Sequence, residues 1–72
     1  MMNTYNERQV SEEYVLASRW RAQENDLIGG WSVVPEADKR LISEGAIEIA
    51  DFLTMGVAQH IVTIHNQSLQ AA

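Results

Sequence analysis

Between Phe52 and Ile64 the apolar side chains do not keep to one stripe. Read as a helix, this stretch places Phe52, Leu53, Met55, Val57, Ala58, Ile61, Val62 and Ile64 on nearly every side of the axis, and a helix that is apolar all round is normally buried on more than one face. A chain of 72 residues has little mass with which to wrap such an element, because a single core of that size contributes only about 3–5 kcal/mol. The usual reinforcements are disulfides, a metal or a second subunit. The sequence has no cysteine and only two histidines, so neither a disulfide nor a closed structural zinc site is available. Self-association is the remaining route, and a homodimer or higher oligomer is expected.

The rest of the pattern predicts a second, shorter helix ahead of this one. Thr4 and Glu7 have capping-box spacing, and Ser11 followed by Glu12 and Glu13 offers a second start. From about residue 6 to 23, Val10, Tyr14, Ala17 and Trp20 share one face, with Arg8 and Glu12 paired on the other. Asn25, Asp26, Gly29 and Gly30 then interrupt the pattern. Pro35 suits a first helical position, and Glu36 and Asp38 come next, where the helix dipole favours acids. The chain is therefore expected to form one all-α domain over residues 1–72: a helical hairpin with a long second helix over about 35–66 and a Gly-Gly loop between. The alternative for the connection is a short β-hairpin over 27–34 turning on Gly29-Gly30.

Charge narrows the function classes. Ten acidic residues against five Lys and Arg give a formal charge of −5, which repels a phosphate backbone, so nucleic acid is not the expected ligand. No signal-peptide pattern and no apolar run long enough to span a bilayer is evident, so no membrane role is expected and the cytoplasm is the expected compartment. Glu44, Glu48 and Asp51 make an acidic ridge on the expected helix, but without a nucleophile or metal beside them they read as a solvated face. No catalytic residues and no cofactor are expected.

Two groups of residues remain as candidate contacts. Arg19, Trp20, Arg21 and Trp31 form the one cationic and aromatic grouping, suited to anchoring a protein partner or to stacking and gripping a nucleotide. The same residues also read as core aromatics flanked by solvated arginines. Phe52, Met55, Gly56, His60, Ile61 and Val62 are the expected oligomer interface. His60 is expected to be buried there in its neutral form, whereas His65 is assigned no role.

The segments Asp51-Phe52-Leu53-Thr54 and Gln59-His60-Ile61-Val62-Thr63-Ile64-His65-Asn66, in a short acidic chain without cysteine, resemble the small accessory proteins encoded by bacteriophages of actinobacteria. The resemblance covers under half of the chain. It implies a non-catalytic oligomeric module that binds and modulates a host protein in the host cytoplasm. The alternative it implies is a module that sequesters a nucleotide signal.

Overall fold

The computed structural model describes residues 12–71, and it is not all-α. The order is a short helix α1 (Glu12–Ala17), strands β1 (Trp20–Asn25) and β2 (Gly30–Pro35), a single 3-10 turn (Ile42–Glu44), strand β3 (Ala50–Leu53) and a long helix α2 (Met55–Ala71). The strands form one antiparallel sheet in the order β1-β2-β3. The expected helical hairpin is thus replaced by an α+β fold in which one long helix packs on a three-stranded sheet. The expected caps at Thr4, Glu7 and Ser11, the contact of Val10 and the pairing of Arg8 lie outside the described residues.

The first expected helix ends early, at Ala17. The Ser18 amide bonds back to the Tyr14 carbonyl at 3.0 Å, and the hydroxyl of Ser18 donates to the same oxygen. Trp20 continues the i, i+3 series of Tyr14 and Ala17, but it belongs to a strand. The residues Arg21, Ala22, Gln23 and Glu24 favour helix by propensity, and pairing with β2 overrides them.

That pairing runs from Trp20 opposite Pro35 to Asn25 opposite Gly30, around a turn at 26–29. The hairpin considered over 27–34 therefore exists in a longer form centred elsewhere. Pro35 closes β2 instead of opening a helix. Its missing N–H costs nothing at a strand end, and the next amide, Glu36, donates to Arg19 O at 2.8 Å.

β2 is the central strand and is covered on both sides. Val33 packs with Ala58 and Val62 of α2, with Trp20, Ala22, Trp31, Ile49, Leu53 and Ile61 around them. Val34 faces the other way and packs with Ile42 and Ala46. A strand buried on both faces has no polar alternation, so its period-2 signal is absent.

Residues 36–49 make the second cover, in place of the expected helix. Asp38 organises this segment, since its carboxylate accepts from the amides of Ile47 at 3.0 Å and Arg40 at 3.2 Å and pairs with the Arg40 guanidinium at 2.9 Å. A side chain that bonds the backbone locally competes with helix formation. Gly45 then ends the 3-10 turn at φ +103°, a left-handed conformation that other residues adopt at a cost. Ile42 and Ala46, expected on the same stripe as Leu53 and Val57, end on the opposite side of the sheet from α2. Glu44 closes the 3-10 turn and Glu48 lies beyond it, so the two share no α-helix. Glu44 accepts from the Leu41 amide, and Glu48 accepts from Asn25.

α2 begins only after Thr54, whose side chain caps the Val57 amide at 3.2 Å.

Candidate functional site

The feature that sets one region apart is a bulge in β3. Trp31 pairs with Leu53 and Val33 with Ala50, so β3 spends one residue more than β2 over the same interval. An extra residue breaks the alternation of side chains and bends the strand. Asp51 and Phe52 consequently both face solvent. Phe52 takes up the irregularity with φ +60° and is 76% exposed. Among the described residues it is the one non-glycine with positive φ. The left-handed region costs an ordinary L-residue about 1–2 kcal/mol, and a large aromatic left three-quarters exposed there has little burial to offset that cost.

Phe52 does not stand alone. A Cβ at Gly30 would lie 3.3 Å from Leu53 O and 4.0 Å from Phe52 Cα, so the exit of the β1–β2 turn runs directly against the backbone of Phe52. That turn carries Leu27, 65% exposed, and Ile28, 42% exposed. Met55, at the first turn of α2, is 59% exposed. The end of β1, the start of β2, the end of β3 and the start of α2 thus share one end of the molecule, where Leu27, Ile28, Phe52 and Met55 bring large apolar side chains to the surface. From Met55 a shallow groove of about 510 Å³ continues along the outside of α2, lined by Gly56, Gln59, His60 and Thr63.

Of the residues expected at an oligomer interface, Phe52, Met55, Gly56 and His60 are exposed. Ile61 is half-buried against the core and Val62 lies inside it at 5% exposure. Val62 turns inward because the sheet covers this side of α2, where Val33 packs on it and on Ala58. The expected burial of His60 is not observed within the chain.

The cationic and aromatic grouping is divided by the pleat of β1. Trp20 lies on the α2 side of the sheet. Trp31, on the same side but at the opposite end of the hairpin, is half-buried against Val33, Ala58 and Val62. Arg21 lies on the other side, where its guanidinium donates to Gln23 Oε1 and to the carbonyls of Asp38 and Arg40. Arg19 pairs with Glu36 at 3.4 Å, with both side chains about half exposed. The two arginines and the indole do not converge on one cavity.

The contacts of Trp20 leave no signal in the sequence. Its ring stacks on His65, with centroids 3.5 Å apart and an 8° interplanar angle. Its Nε1 donates to Val15 O at 2.8 Å. His65 Nε2 donates to Ser18 O at 2.7 Å, since a carbonyl oxygen can only accept. Asn66 grips both backbone groups of Trp20, accepting from its N–H at 2.9 Å and donating to its carbonyl at 3.0 Å. The side-chain amide thereby stands in for a neighbouring strand. The assignment of no role to His65 is corrected, because this residue joins α1, β1 and α2.

A second polar cluster lies under the 36–49 segment. Asn25 Nδ2 donates to Ser32 Oγ at 3.0 Å and to Glu48 Oε1 at 3.1 Å, and Asn25 Oδ1 accepts from the Leu27 amide at 3.0 Å. Asn25 and Ser32 are buried, so the Ser32 hydroxyl is closed to any substrate. The cluster fixes the hairpin turn. Among the described residues, no group of three His, Cys, Asp or Glu is placed to hold a metal, and no helix is long and apolar enough to cross a membrane. Comparison with protein-family models, with curated proteins and with solved structures found no match to this chain.

Proposed function

We propose that this protein is a non-catalytic binding module that docks another protein on the apolar end formed by Leu27, Ile28, Phe52 and Met55. The observation that carries the reading is Phe52, a large aromatic kept in left-handed backbone with about three-quarters of its surface in solvent. Strain of this kind persists where surrounding structure imposes it and is concentrated at functional sites. Phenylalanine and methionine are also among the residues enriched at protein interfaces relative to the rest of the surface. In keeping with the resemblance to bacteriophage accessory proteins, the partner is a host protein. A separate surface serves self-association: Val57 and Ile64 are exposed on α2 with half-buried Ile61 between them, an i, i+4, i+7 row suited to a second helix.

Affinity capture from host lysate, with mass analysis of bound proteins and small molecules, tests the docking role. A stoichiometric protein retained by the wild-type chain and lost with Phe52→Ser is the expected result. Retention undiminished by Phe52→Ser and Leu27→Ser together would rule out this surface. A released nucleotide would point instead to small-molecule sequestration.

A further inference from the structure

The charges of the described residues are sorted along the sheet. Every described Lys and Arg lies where β1 begins and β2 ends: Arg19 just before β1, Arg21 near its start, and Lys39 and Arg40 in the segment after Pro35. Arg19 is paired with Glu36 and Arg40 with Asp38. At the other end, the four apolar residues are rimmed by Glu24, Asp26 and Asp51, all exposed, and among the described residues none of these acids has a cationic partner. A six-residue strand separates the two ends by roughly 17 Å, about twice the Debye length at physiological ionic strength. The cations therefore do not offset the acidic rim.

Resting on the docking role proposed above, we infer that the apolar end binds a cationic amphipathic segment of a protein, in which Lys or Arg flank aliphatic or aromatic residues. Complementary charge at the rim steers such a segment and discriminates against others, while the buried apolar contacts hold it. The same rim opposes the competing occupants. In a two-fold contact the same patch meets itself, so a second copy would set this acidic rim against an identical acidic rim. Nucleic acid and anionic lipid surfaces are repelled in the same way.

The test uses the full chain and two synthetic helical peptides with the same leucine positions, one with lysine and one with glutamate at the polar positions. By fluorescence titration the lysine peptide is expected to bind about ten-fold or more tightly than the glutamate peptide, with the preference shrinking as salt is raised. Charge reversal in Asp26→Lys/Asp51→Lys should remove or invert the preference. Phe52→Ser and, separately, Leu27→Ser should weaken the lysine peptide while circular dichroism stays unchanged. Binding that needs Phe52 but ignores peptide charge would overturn the cationic specificity and leave the docking role standing. Binding of the lysine peptide that is indifferent to Phe52 and Leu27 would place it elsewhere and overturn the site itself. Self-association abolished by Phe52→Ser would give the patch to a second copy, against this proposal.

Discussion

Phe52 and His65 show opposite ways in which one side chain relates to its own fold. Phe52 is strained and touches solvent, so Phe52→Gly should relieve the left-handed backbone. We expect stability to rise by about 1 kcal/mol, seen as a thermal midpoint higher by roughly 4 °C or more, with binding lost. A lower midpoint would mean that the ring supports its own chain. His65, in contrast, is tied by a ring stack and a hydrogen bond, and His65→Ala should cost about 1–2 kcal/mol. His60→Ala, at an exposed position, should change stability by no more than about 0.5 kcal/mol. Equal effects of the two substitutions in denaturant titrations would remove His65 from the structural role described. Neither assignment was legible in the sequence. The two histidines sit five residues apart on one helix, and only the position of the sheet decides which of them faces inward.

At the scale of elements, the segment over 36–49 depends on Asp38. Its carboxyl is held well below the usual carboxylate range, first by the hydrogen bond from Arg40 and further by the amides of Ile47 and Arg40, which outweigh the opposing effect of burial. A folded-state pKa depressed below the unfolded value means that the stabilisation is fully present above about pH 4 and is lost as pH falls toward the folded pKa. Asp38→Asn should therefore lower stability at neutral pH by about 1–2 kcal/mol and flatten the acid limb of the stability curve relative to wild type. An unchanged acid limb would show that Asp38 does not hold this cover in place.

This segment also departs furthest from what its sequence pattern predicts. Pro35, Glu36 and Asp38 do form a plausible helix start, but Asp38 turns its side chain onto the backbone and Gly45 ends the short 3-10 turn after a single round. The strands left some trace: Val33-Val34 in β2 is β-branched. β2 lacks a period-2 pattern because both faces are buried, and β1 is built from helix-favouring residues. The stretch from Met55 onward is helical, although its apolar breadth reflects one face on the sheet and another in solvent.

For the whole molecule, the balance of apolar surface remains unusual. The described residues bury six hydrophobic side chains, none larger than isoleucine, and leave nine large ones exposed. That ratio supports the association proposed for α2. Sedimentation at low micromolar concentration should give at least twice the 8.1 kDa chain mass. Ile64→Glu should reduce this to a folded monomer, because Ile64 is 53% exposed, whereas Val62→Glu should unfold the chain. A folded wild-type monomer at high concentration would exclude self-association.

The hold of Asn66 on Trp20 sets the order in which this protein can be completed during synthesis. The first strand obtains its outer partner from a residue 46 positions later, and the core on that side of the sheet closes only with Ala58 and Val62. While the last helix is still inside the ribosome, the emerging hairpin has its edge open and Val33 uncovered. Folding therefore waits for nearly the whole described chain. A nascent chain arrested before Ala58 clears the tunnel should remain sensitive to protease throughout β1 and β2, and protection should arrive in one step once Asn66 is free.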